Sequence, residues 1–163
     1  MIREDLIRQL ETLGRGLILL IAVLVIAADQ LTKLWITSNL AVGESFAGEA
    51  PVRFIYVVNT GAAFGLLPQY SVYLALVAFL VIGMVLFYQR YLPGSSMLIK
   101  AALGLQMGGA VGNLIDRLHY GYVVDFIDTR VWPVFNIADA SITTGVCLLA
   151  FFLIFVQEKK EAT

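Results

Sequence analysis

Four stretches of this 163-residue chain are long and apolar enough to cross a membrane, and nothing else in it limits the fold as much. A spanning helix needs ~20 mostly apolar residues, because the hydrocarbon core is ~30 Å thick and a helix rises ~1.5 Å per residue. The stretches are residues 17–36, 70–88, 97–115 and 137–156. The first opens on an unbroken apolar run, 17–28, and then carries Asp29 and Lys33. It has no small-residue cleavage site at its end, so it reads as a retained helix rather than a removable leader. Composition agrees: 60% of the residues are apolar and 14% charged, too few polar side chains to cover a soluble surface. The predicted fold class is therefore membrane α-helical, four transmembrane helices in one domain spanning 1–163.

Orientation follows from Lys and Arg in the short connections. Arg3, Arg8, Arg15, Arg90, Lys100, Lys159 and Lys160 fall on one side. Lys33, Arg53, Arg117 and Arg130 fall on or near the other. Both termini are expected in the cytoplasm, with 37–69 and 116–136 as extracytoplasmic loops. The tail 1–15 has apolar residues at helical spacing among mixed charges and reads as a short interfacial helix on the cytoplasmic side. In the first loop, residues 52–58 are β-branched and aromatic and read as a strand. In the second, 120–124 and 131–135 read as strand pieces around a turn. Trp35, Tyr70, Tyr120, Tyr122 and Trp132 fall near the outer boundary, where aromatic belts sit. Gly104, Gly108 and Gly112 lie four apart on one face of the third helix, a spacing that lets helix backbones approach closely. Packing within the bundle is the simpler use of that face, dimerisation the other.

Several chemistries are excluded early. A net charge of −1 leaves no basic footprint for nucleic acid. One Cys and one His are too few for a structural zinc site, and no His-Glu-x-x-His occurs. No metal and no cofactor are expected. Cys147, deep among apolar residues of the fourth helix, reads as an inert core thiol. His119 reads as a loop residue with a structural or surface role.

Acids near a bilayer are costly and mark function. Five aspartates fall in or near the outer leaflet: Asp29, Asp116, Asp125, Asp128 and Asp139. Asp139 lies one turn into the fourth helix, where a first-turn acid favoured by the helix dipole is the simple alternative. Asp125 interrupts an apolar strand-like stretch, where a turn acid is the simple alternative. The two are 14 residues apart in one loop-to-helix segment, so they can meet at the membrane surface. Two carboxylates at close range do not both ionise easily, and such a pair can activate a water and protonate a leaving amine. Asp29 and Lys33 are four apart, acid first, the better order for a helical pair. That spacing predicts support for the site, with Lys33 mattering more to stability than to chemistry. Asn59, Asn113 and Asn136 sit near outer ends of predicted elements, where amides cap helices and turns or hold a substrate backbone.

Four blocks occur in order along the chain: 29–33, 59–65 (Asn59-Thr60-Gly61-Ala62-Ala63-Phe64-Gly65), 108–117 (ending Gly112-Asn113-Leu114-Ile115-Asp116-Arg117), and 123–126 with 135–141. Together they resemble the bacterial lipoprotein signal peptidase (signal peptidase II) family of aspartic intramembrane proteases. The tail 1–15 lies outside the match. The resemblance implies that Asp125 and Asp139 are the catalytic dyad, and that Asp29, Asn59, Asn113, Arg117 and Asn136 shape or support the site. It implies a β-cradle built by the outward loops. It implies a substrate, a diacylglyceryl-modified prolipoprotein cut just before its lipidated cysteine. It further implies a multi-pass protein of the bacterial cytoplasmic (inner) membrane, with its active site near the extracytoplasmic face. Block by cyclic peptide antibiotics of the globomycin type is expected, and nothing demands more than a monomer. Two other classes use some of the same features. A small proton-coupled transporter would carry protons on Asp29 or Asp139. A non-catalytic scaffold would bind a partner helix on the glycine face. The clustering of the blocks around two loop-side acids favours the peptidase.

Overall fold

The computed structural model describes residues 2–46, 50–61, 71–89 and 96–156, with side chains from residue 12 to residue 155. Its elements are α1 (Ile2–Asn39), β1 (Ser45–Phe46), β2 (Arg53–Asn59), α2 (Ser71–Tyr88), α3 (Met97–Tyr120), β3 (Val123–Asp128) and α4 (Ile137–Phe151), the last continued by a π-helical turn, Phe152–Val156. Four of these helices are long and apolar enough to cross a membrane.

The helix ends differ from the sequence expectation in ways the local chemistry explains. The tail is not a separate interfacial helix. It is the first part of a continuous α1, since no proline interrupts 2–39 and its glycines weaken a helix by only ~1 kcal/mol each. The third helix runs past 115 to Tyr120, where Gly121 takes the left-handed conformation (φ 79°) and donates its N–H to Arg117 O. His119 therefore lies in the last helical turn, not in a loop. The expected start of the second span at Tyr70 lies outside the described residues, as do Ala62 to Gly65 of the second block.

α3 is the hub and packs on α1, α2 and α4. On α1 the buried residues Ile18, Ala22, Val25, Asp29, Lys33 and Ile36 recur every three or four positions in one stripe, which faces α3 as far as Lys33 and reaches the sheet at Ile36. Close approach is possible because that face of α3 is glycine. A Cβ at Gly104 would meet Ile18 O at 2.9 Å, one at Gly108 would meet Ala22 O at 2.8 Å, and one at Gly112 would meet Asp29 Oδ2 at 2.8 Å. The glycine stripe is thus used inside the bundle, as the simpler reading has it. Gly109, turned toward α4, lies directly under Ala138 O. Cys147 is exposed, against expectation: the fourth helix turns Gly145 to α3 and leaves the neighbouring Val146 and Cys147 outward, so an apolar sequence context marks the lipid side as readily as the core.

The connections between α1 and α2 and between α3 and α4 build a three-stranded antiparallel sheet, β1-β2-β3. Register irregularity between Phe54 and Val57 leaves Val57 opposite Asp125 and Asn59 opposite Val123. Residues 131–134 form no strand; Phe135 alone bridges to Ile127. One face of the sheet packs Tyr56, Val124 and Phe126 on Ile36 of α1. Strand alternation then turns Asp125 to the opposite face, toward the start of α4.

Candidate active site

The structure divides the five aspartates by their partners. Asp29 and Asp116 both meet the ammonium of Lys33, at 2.7 and 2.9 Å. Asp128 pairs with Arg53 Nε at 2.7 Å and accepts Arg130 N, and the guanidinium holds its carboxyl below the usual range. Asp125 and Asp139 remain. Among the described residues each accepts hydrogen bonds only from neutral N–H groups.

Asn136 joins the two acids. It is the N-cap of α4, with its Oδ1 accepting from Asp139 N at 2.9 Å while Asp139 Oδ2 accepts from Asn136 N at 3.3 Å. This reciprocal capping box satisfies two of the orphan donors at the start of the helix. A backbone N–H can only donate, so Asn136 Oδ1 is fixed toward α4 and its Nδ2 faces away, donating to Asp125 Oδ1 at 2.7 Å. Asn59 Nδ2, from the end of β2, donates to Asp125 Oδ2 at 2.8 Å. Asn113 Nδ2, from α3, donates to Asp139 Oδ1 at 2.7 Å. Three amides from three elements therefore hold two carboxylates. Asp125 is 2% exposed, and burial together with the nearby charge of Asp139 pushes it up to about 7, against the weaker opposing pull of the Asn59 and Asn136 hydrogen bonds.

Behind the pair lies a polar cluster inside the bundle. Asp29 Oδ1 accepts Ala138 N at 2.9 Å, one residue before Asp139. Asp116 Oδ2 accepts Val124 N at 3.0 Å, one residue before Asp125. Gln30 Nε2 donates to Asp116 Oδ1 at 2.9 Å and to Gly112 O at 3.1 Å. Asp29, Lys33, Asn59, Asn113 and Asn136 thus converge on Asp125 and Asp139. Arg117 does so less directly: its Nη1 turns back to Asn113 O at 3.4 Å. Asp116 and Gln30 were not singled out for the site from the sequence. Asp116 could have been, since it follows Asn113 by three residues and so shares its helix face.

Beside Asp125 lies a cavity of about 230 Å³, lined by Val57, Val58, Asn59, Thr60, Pro133 and Val134. A larger cavity of about 790 Å³ sits toward the other end of the bundle, between α2, α3 and α4, and is lined mostly by apolar residues with no acid. Of these two, only the smaller is lined by a carboxylate, that of Asp125; a third cavity, also of about 230 Å³, is lined by Lys33 and Asp116, an acid already paired with that ammonium. A water between two carboxylates, with a peptide group in reach, is the arrangement needed for metal-free hydrolysis of an amide.

Comparison with known proteins identifies the family. A family model described as signal peptidase (SPase) II matches residues 21–155. A lipoprotein signal peptidase of Moorella thermoacetica is 48% identical over 141 residues, covering 83% of this chain and 91% of its own length. One from Halothermothrix orenii is 42% identical over 144 residues, 88% of this chain and 98% of its own. A bacterial membrane enzyme solved by the in meso method at 2.3 Å superposes with a TM-score of 0.78 at 31% identity, covering 91% of this chain and 92% of that one.

Proposed function

The chain belongs to the signal peptidase II family, and on that premise we propose that its aspartic endopeptidase activity, removal of signal peptides from prolipoproteins, is carried by Asp125 and Asp139. The observation that supports this pair is their partner set: of the five aspartates, these two accept hydrogen bonds only from neutral donors among the described residues and are joined by one amide. An acid already committed to a buried cation is poorly placed to exchange protons.

Burial and the neighbouring charge of Asp139 raise Asp125 and so favour it as the general acid, with Asp139 as the base. Asp139 takes a proton from water as the water oxygen bonds to the scissile carbonyl carbon. Asp125 gives its proton to the amide nitrogen as the C–N bond breaks. The products are a carboxylic acid and an amine, and passage of one proton from Asp139 to Asp125 restores the pair.

The substrate is a prolipoprotein carrying diacylglycerol on its cysteine, cut just before that cysteine. Both its apolar signal helix and its lipid lie in the bilayer, so the site is reached from the membrane. The charge distribution of the loops favours cytoplasmic termini and an extracytoplasmic active site in a bacterial inner membrane. Cyclic peptides of the globomycin type, entering the same site, would block it, and the enzyme works as a monomer.

The test is a gel-shift cleavage assay on a diacylglyceryl-modified prolipoprotein in lipid or detergent. Wild type is expected to cleave, and folded Asp125→Asn and Asp139→Asn are expected not to. Near-normal turnover by either variant would remove that residue from the mechanism.

A further inference from the structure

Lys33 lies at the centre of the polar cluster, 3% exposed, and each hydrogen of its ammonium has one acceptor: Asp29 Oδ2 at 2.7 Å, Asp116 Oδ2 at 2.9 Å and Asn113 Oδ1 at 3.1 Å. Each acceptor leads to one of the two acids. Asp29 holds Ala138 N, the backbone next to Asp139. Asp116 holds Val124 N, the backbone next to Asp125. Asn113 donates to Asp139 itself. The Asn113 contact also fixes an orientation. An ammonium only donates, so Asn113 Oδ1 must face Lys33, and Nδ2 is left to point at Asp139.

From this geometry we propose that Lys33 is a positioning residue for the reaction, setting the placement of both carboxylates from one buried point. The inference rests on the dyad of the preceding section. Asp139 sits on α4 and Asp125 on β3, and no covalent constraint within the site fixes their separation. Lys33, on α1, is tied by its three acceptors to both of those elements and to α3. The Asp29–Lys33 spacing by itself suggests a helical ion pair that stabilises the fold. The contacts to Asn113 and Asp116, invisible to local spacing, give Lys33 its second task. A misplacement of ~1 Å at reacting groups can cost ~100-fold in rate.

Two variants separate this role from a purely structural one. Lys33→Gln alone would leave Asp29 and Asp116 facing each other without a cation. Asp29→Asn/Lys33→Gln removes one charge of each sign and keeps an acceptor for Ala138 N. Lys33→Arg keeps the charge, but its planar fork cannot direct N–H groups at the same three acceptors. Both are purified as the full chain in detergent beside wild type and Asp139→Asn, and kcat per folded molecule and KM are read on the diacylglyceryl-modified prolipoprotein. The expected result is a kcat at least ten-fold lower in both, with KM within about two-fold of wild type. A wild-type kcat in either folded variant overturns the proposal. Loss of folding in both assigns Lys33 to the fold alone and overturns it as well. Turnover by Asp139→Asn would instead strike at the dyad, a different failure with a different signature.

Discussion

Asn136 donates to Asp125 Oδ1 at 2.7 Å from the N-cap position of α4. A residue whose ordinary task is to start a helix here also ties that helix to the sheet. Asn136→Ala should therefore do two things at once. Loss of the cap should cost ~1 kcal/mol, within a range of ~0.5–2. Loss of the tie should lower kcat, since Asp125 and Asp139 no longer share a partner; at least a ten-fold drop is expected. Thermal unfolding in detergent and the cleavage assay read the two effects separately. A lower Tm with kcat unchanged would reduce Asn136 to a cap.

Gly109 lies directly under Ala138 O, one residue before Asp139. A methyl group there must push the first turn of α4 outward. Gly109→Ala should destabilise by ~1–3 kcal/mol, the usual cost of overpacking, and should lose activity beyond that, because the displaced turn carries Asp139. Gly83→Ala is the control: a Cβ there meets nothing within 4 Å, and a mid-helix Gly→Ala is favourable by up to ~1 kcal/mol. Equal activity in the two variants would mean that the first turn of α4 tolerates displacement.

The proposed reaction needs only two carboxylates and a water. Treatment of the pure enzyme with EDTA should leave its turnover unchanged. A loss of activity restored by zinc would replace the dyad mechanism with a metal-assisted one.

The four spans were legible because apolar length is a local property of the sequence. The strand at Arg53–Asn59 was legible for the same reason, through its β-branched and aromatic residues. Asp125 and Asp139 stood out as acids where acids are costly. What local spacing missed was contact across elements. Lys33 could be paired with Asp29 from the helical repeat, but not with Asp116 or Asn113, which lie more than 75 residues away. Gln30 adjoins Asp29, yet its stronger contacts are with α3, at Gly112 and Asp116. Cys147 was misread because an apolar neighbourhood does not distinguish a core face from a lipid face.

The pH dependence of the enzyme should report Asp125. Burial and the charge of Asp139 raise it from 3.8 to about 7, so as the general acid it is lost when the pH rises through that value. The alkaline limb of kcat/KM is expected near 7, falling ten-fold per pH unit above it. Asn59 Nδ2 stabilises the ionised form, so Asn59→Ala should let Asp125 keep its proton longer and move the limb to higher pH. Stability carries the same signature with a definite sign. The folded protein holds this proton more tightly than the unfolded chain, so that contribution is complete below the ordinary carboxylate range and is lost as the pH rises through about 7. Asp125→Asn removes the titration. Its Tm relative to wild type should therefore climb between pH ~4 and ~7 and level off above. A flat difference across that range, or an alkaline limb that ignores Asn59→Ala, would take the acid role away from Asp125.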